Sequence, residues 1–233
     1  MERLTQALGH FSTLDLWAVA ALIAGWAAVT LLIEHAPARF PSTSNLMAQY
    51  RREWMVQFVA RDPRIFDSQV IGQLRQGTSF FASATLIAIG GALALLGDVE
   101  RLIGLADDLT SGTDPVIVWE VKILTIIIFL TNAFLKFVWA NRLFGYCAVV
   151  MGAVPNNPED PAALPRAHKA GAINITAARG FNRGLRALYF ALAAAAWLLG
   201  PQVLLLAVAV TLAVLLRREF ASESRAVLMR ADK

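Results

Sequence analysis

The sequence predicts an all-α protein: a polytopic helical membrane bundle of about five spans, the last two a Gly-Pro hairpin, with amphipathic helices on the cytoplasmic side. Three observations carry this. The chain is 57% hydrophobic and only 16% charged, with a mean hydropathy of +0.55, whereas soluble domains carry about 25% charged residues. The deficit lies in long uncharged runs, and a bilayer-spanning helix needs about 20 apolar residues. Lysines and arginines between the runs alternate in abundance, as their preference for the cytoplasmic side of span ends requires. At 233 residues there is room for a handful of spans but for no second, soluble domain of ordinary size. Residues 1–233 therefore read as a single membrane domain.

The first span is expected at about 15–33. The stretch before it holds one basic residue, Arg3, and so lacks the clustered basic region of a cleaved signal peptide. Trp17 and Trp26 suit interface anchoring or packing. A segment at 34–77 follows with Arg39, Arg51, Arg52, Arg61, Arg64 and Arg75. Within it, Met47, Tyr50, Trp54 and Phe58 recur at intervals of three and four, so they share a helix face. That face fits a helix lying on the cytoplasmic interface or one packed on the spans from below. Asp62-Pro63 is expected to start a further helix, with Asp as N-cap and Pro at the first position. This helix should run into the second span, about 78–96. There Ser79, Ser83 and Thr85, with the small-residue stripe Ala84, Ala88 and Ala92, suit close helix packing; a polar pore lining is the alternative.

An acidic loop comes next, with Asp98, Glu100, Asp107, Asp108, Asp114 and Glu120 against only Arg101 and Lys122. The third span is expected at about 117–139, inside a helical pattern that continues to about Met151. Asn132 and Lys136 are four apart and face the same way, and Asn141 and Arg142 follow within two turns. Ionisable groups in a span usually face a bundle interior or a polar path. The plainer alternative is that Lys136 lies near the membrane surface and extends its ammonium to water. The segment 140–183 is expected in the cytoplasm, punctuated by Pro155, Pro158, Pro161 and Pro165. Its end, with Arg179, Asn182, Arg183 and then Arg186, suits an anion or a lipid headgroup, or is an ordinary basic flank.

From Ala187 to Leu216 no residue is charged, and Gly200-Pro201 sits near the middle. One helix of that length would measure about 45 Å against a hydrocarbon core of about 30 Å. Glycine suits a helix C-cap and proline a first turn, so two spans are expected at about 184–199 and 201–217. Each is short, with some 15 apolar residues or about 22 Å; Arg217 and Arg218 can reach the interface from the second. A single tilted helix kinked at Pro201 is the alternative. The hairpin puts 17 of the basic residues inside and three outside, with Lys136 near the inner face. The expected topology is N-terminus outside and C-terminus cytoplasmic, and the Ala- and Arg-rich composition suits a bacterial inner membrane.

No reaction is legible. His10, His35 and His168 lack metal-ligand spacing, and the single cysteine, Cys147, excludes an internal disulfide. No phosphate-binding glycine loop, dinucleotide fingerprint or nucleophile elbow is present. Asp107-Asp108 and Glu159-Asp160 read as solvated loop charges. Asn174-Ile175-Thr176 matches a glycosylation triplet on the wrong side. The expectation is a non-enzyme with no catalytic residues, metal or cofactor and no nucleic-acid partner.

Several segments together carry a resemblance. They are Arg51-Arg52-Glu53-Trp54, Thr78-Ser79-Phe80-Phe81-Ala82-Ser83, and Lys136-Phe137-Val138-Trp139 with Arg142. To these add Gly180-Phe181-Asn182-Arg183-Gly184-Leu185-Arg186 with Tyr189-Phe190, and Trp197-Leu198-Leu199-Gly200-Pro201. In that order they resemble the membrane family catalogued as domain of unknown function (DUF) 599. The resemblance spans nearly the whole chain and implies an integral membrane protein, with no catalytic residue to carry over.

The leading functional expectation is a small channel or transporter for a solute or ion, acting as a homo-oligomer through Asn132, Lys136 and the basic residues beside them. The alternative is a non-transporting accessory or scaffold protein that binds a membrane partner or anionic lipid, motivated by the aromatic helix face and the basic flanks.

Overall fold

The computed structural model describes residues 9–100, 103–104 and 115–230. Among these the secondary structure is helical. In chain order the helices are α1 (Thr13–Glu34), α2 (Thr43–Val59), α3 (Ile65–Gly97), α4 (Val116–Gly152), α5 (Ala163–Ala195), α6 (Pro201–Phe220) and α7 (Glu223–Leu228), with a 3-10 turn at Ala196–Leu199. The expected acidic-loop residues Arg101, Asp107, Asp108 and Asp114 lie outside the described residues, as does Arg3.

Among the described residues three helices are long and apolar enough to cross a membrane: α1, α3 and α4. Within the expected spans they expose large apolar side chains, with Trp17 69%, Ile87 76% and Ile128 66% exposed, an arrangement suited to lipid and costly in water. The helix expected to carry Met47, Tyr50, Trp54 and Phe58 is α2. The polar side chain of Ser42 caps it by accepting from Asn45 N at 3.2 Å while donating to Ile33 O at 2.9 Å.

One expectation is corrected. Pro63 is not the first residue of a helix: the Asp62-Pro63 bond is cis and α3 begins at Ile65. Lys122 also sits differently from the loop in which the sequence groups it. It is buried in α4 with its ammonium 5.2 Å from the Trp119 ring centroid.

The uncharged run is broken where glycine and proline place the break. Gly200 adopts φ 114° and ψ 162°, a backbone region open essentially to glycine alone. Its N–H donates to Trp197 O at 2.9 Å, closing the 3-10 turn, and its carbonyl accepts from Leu204 N at 3.1 Å, opening α6. One residue thus ends one helix and starts the next.

The described chain forms two compact units, each assembled from separate stretches because the long helices run through both. The first comprises Met1–Leu31, Ala84–Ala133 and Leu185–Leu216. Here Phe129 makes an edge contact with Trp26 at 5.5 Å and stacks with Phe190 at 6.3 Å. Asp15, which caps α1 together with Ser12, accepts the Trp197 indole N–H at 2.7 Å.

The second unit comprises Leu32–Ser83, Phe134–Gly184 and Arg217–Lys233. Its core joins Met55, Phe58 and Val59 of α2, Ile71 of α3, Cys147 and Met151 of α4, and Ala163, Ala167 and Ala170 of α5. A cluster of Phe81, Phe137 and Phe181 ties α3, α4 and α5, with centroids 5.4 to 5.6 Å apart. Alanines on α5 let α2 and α4 approach closely, because burial of apolar surface is won without long side chains to accommodate. The short α7 packs on α2; Arg225 donates to Pro41 O at 2.9 Å and covers the Phe40 ring.

Candidate functional site

Of the basic residues singled out by the sequence, Lys136, Arg142, Arg179 and Arg183 lie in the second unit and Arg186 in the first. At the start of α2, Ser44 Oγ donates to Glu219 Oε1 at 2.9 Å, and Asn182 Nδ2 donates to Ser44 Oγ at 3.3 Å. Ser44 N adds a bond to Glu219 Oε2 at 3.0 Å, and Thr43 Oγ1 donates to Glu219 O at 3.1 Å. Arg183 forms a two-pronged ion pair with Glu34, Nε to Oε1 at 2.8 Å and Nη2 to Oε2. That hydrogen-bonded carboxylate holds the Arg183 guanidinium above its ordinary pKa.

Asn141 bridges α4 to α3. Its Nδ2 lies 3.0 Å from Arg75 O, 3.0 Å from Thr78 Oγ1 and 2.6 Å from Ser79 Oγ. The hydroxyls that open the second expected span are thus used, in part, as helix-to-helix links. Arg142 turns along its own helix to Tyr146, donating to the phenol oxygen. Arg186 is buried. Asn132 and Lys136 stand one turn apart on α4, both half-buried. Of the eight residues Asn132, Lys136, Asn141, Arg142, Arg179, Asn182, Arg183 and Arg186, only Arg179 lines one of the two cavities described below.

The face expected to share Met47, Tyr50, Trp54 and Phe58 is divided. Met47 and Tyr50 are exposed, Phe58 is buried in the core, and the Trp54 indole donates to Asp67 Oδ1 at 2.6 Å. Asp67 is fully buried and also accepts from Arg61. Arg64 is consumed by carbonyls, donating to Val154 O and Pro155 O at 2.8 Å each, with its guanidinium over the Phe58 ring at 4.4 Å. These links make α2 a packed helix along its inner side.

Beneath α2 lies a buried polar chain that the sequence does not announce. Arg51 donates through Nη1 to Asn174 Oδ1. Asn174 Nδ2 lies 3.6 Å from Cys147 Sγ, which donates to Ala170 O at 3.4 Å. Asn174 is fully buried, so its amide must find partners inside the fold. Burial pushes the Arg51 guanidinium below its ordinary pKa, because desolvation disfavours the charged form.

Two cavities open in this unit. One, of about 370 Å³, is lined by Phe58, Arg64, Ser68, Ile71, Gly72, Arg75, Ala148, Met151, Gly152 and Asn156. The other, of about 460 Å³, is lined by Arg52, Met55, His168, Gly171, Ala172, Ile175, Thr176 and Arg179. It joins residues of α2 to a stripe of α5, and sequence reasoning missed Arg52 and His168 because they lie on separate helices far apart in the chain. The His168–Thr176–Arg179 spacing does place those side chains along one side of a helix. Among the described residues no three of His, Cys, Asp and Glu come together as a metal site.

The profile of a protein family described as "Protein of unknown function, DUF599" matches residues 17–224. No curated protein and no solved structure matches the chain.

Proposed function

The chain belongs to the DUF599 family of proteins of unknown function, and we propose that it is a five-span membrane protein of the bacterial inner membrane that acts by binding rather than by transport or catalysis. Its N-terminus lies outside and its C-terminus in the cytoplasm, where the second unit serves as an accessory or scaffold surface for a membrane partner or for anionic lipid. The fourth and fifth crossings are the apolar end of α5 with its 3-10 turn and the apolar part of α6, each about 24 Å long. A pair of crossings of that length requires local thinning of the bilayer or basic side chains reaching to its surface.

The observation that carries the binding reading is the fate of the polar candidates. Asn141, Asn182 and Arg183 fasten helices to one another, whereas Arg52, His168 and Arg179 surround a cavity of the second unit. Gentle solubilisation followed by purification tests it: the account predicts recovery with a retained membrane protein or anionic lipid. Recovery as a lipid-free monomer contradicts it.

A solute or ion path in a homo-oligomer is the second reading. Lys136 favours it, being half-buried on α4 with no side-chain hydrogen bond or ion pair to the described residues. Flux through proteoliposomes that disappears on Lys136→Ala would establish this reading in place of the first.

A further inference from the structure

The cavity between α2 and α5 is an open cleft whose polar side chains are exposed. Its polar lining is Arg52, His168, Thr176 and Arg179, with no carboxylate among the lining residues. Several other arginines of the same unit are matched to acceptors, Arg51 to Asn174, Arg61 to Asp67, Arg64 to two carbonyls, Arg183 to Glu34 and Arg225 to Pro41 O. The side chains of Arg52, His168 and Arg179 make no hydrogen bond or ion pair with the described residues. Adjacent arginines thus take opposite roles, Arg51 turned inward to Asn174 and Arg52 left to the cavity.

The floor is apolar. Met55 is fully buried and Ile175 nearly so. A Cβ on Gly171 would stand 3.1 Å from Met55 Cγ, so α2 and α5 are in close contact at the base of the cavity. At about 460 Å³ the space falls within the range of small-ligand sites, about 300 to 1,000 Å³. Two guanidiniums match the oxygens of a phosphate with forked, charge-assisted hydrogen bonds. An imidazole supplies a further N–H in either charge state.

We propose that this cavity is a binding site for a phosphate-bearing ligand. Arg52, Arg179 and His168 hold the phosphate, and the carbon skeleton rests on Met55, Ala172 and Ile175. The proposal gives a ligand class to the binding reading but does not depend on the number of spans. A membrane phospholipid headgroup and a soluble phosphate ester share this chemistry, and the experiment separates them.

Full-length protein in detergent is titrated with phosphatidylglycerol, glycerol 3-phosphate, inorganic phosphate and an uncharged monoglyceride, with affinity read by calorimetry. The expected result is binding of a phosphate-bearing probe and none of the monoglyceride. Phosphatidylglycerol alone binding identifies a lipid source; glycerol 3-phosphate binding identifies a soluble ester. Arg52→Gln and Arg179→Gln should each weaken binding by about tenfold, as expected for a hydrogen bond to a charged group, and Ala172→Phe should abolish it by filling the cavity. Arg39→Gln, which removes an equal charge outside the cavity, should change it less than twofold. Absence of binding by every phosphate-bearing probe overturns the proposal. So does an equal loss in Arg39→Gln and Arg52→Gln, or unchanged affinity in a folded Ala172→Phe. A failure here leaves the membrane crossings and a protein partner standing, because titration in detergent measures neither.

Discussion

Asn182 and Glu219 meet at one hydroxyl, that of Ser44, with bonds of 3.3 Å and 2.9 Å. They flank the uncharged run on its two sides. In a single continuous helix they would stand about 55 Å apart. The chain between them therefore doubles back, and Gly200 is where it turns.

Replacing Gly200 with alanine tests the turn. Nothing lies within 4 Å of a Cβ built at this position, yet φ is +114°. The cost is therefore backbone strain and not crowding, about 1 to 3 kcal/mol. Thermal unfolding in detergent should show a lowered midpoint for Gly200→Ala. An unchanged midpoint would mean that the turn relaxes without cost.

Gly184→Ala should be destabilising for the opposite reason. Its Cβ would approach Phe137 to 2.7 Å at Cε1 and 2.9 Å at Cδ1, and Phe137 is fully buried between Phe81 and Phe181. Overpacking of that kind costs about 1 to 3 kcal/mol. Gly77→Ala, with open space around its Cβ, should be neutral or slightly stabilising, since glycine within a helix costs about 0.5 to 1 kcal/mol relative to alanine. The two midpoints measured side by side check the contrast.

The Arg51–Asn174 pair predicts a non-additive cycle. Asn174→Leu strands a largely buried guanidinium and should cost about 2 to 3 kcal/mol. Arg51→Met leaves the Asn174 oxygen without its donor and should cost about 1 to 3 kcal/mol. The double variant should be less destabilised than the sum, because replacing both partners by apolar side chains removes the need for the bond. Strict additivity in chemical denaturation would contradict the coupling.

Much of the architecture is legible because local rules govern it. Gly200-Pro201 marks its own break, since glycine alone tolerates that φ and proline suits the residue after it. The α2 helix is legible from its three-and-four spacing, but the side it buries is not. Spacing tells which residues share a face, and only the packing partners decide that Met55 and Phe58 go inward while Met47 and Tyr50 stay out. The polar candidates show the same limit. Asn141 looks like part of a path when read along α4, yet its amide is committed to Arg75 O, Thr78 and Ser79 on another helix. Arg52 and His168 converge only once α2 rests on Gly171, a contact that no local pattern encodes.

The central claim is that the hairpin crosses the membrane and returns the tail to the cytoplasm. Cysteine labelling in intact cells tests it most directly, since the native Cys147 is buried and both chosen sites, Gln202 and Ser224, are exposed. With a membrane-impermeant maleimide, Gln202→Cys at the hairpin tip should label in intact cells, and Ser224→Cys should label only after permeabilisation. Labelling of Ser224→Cys in intact cells would contradict the account.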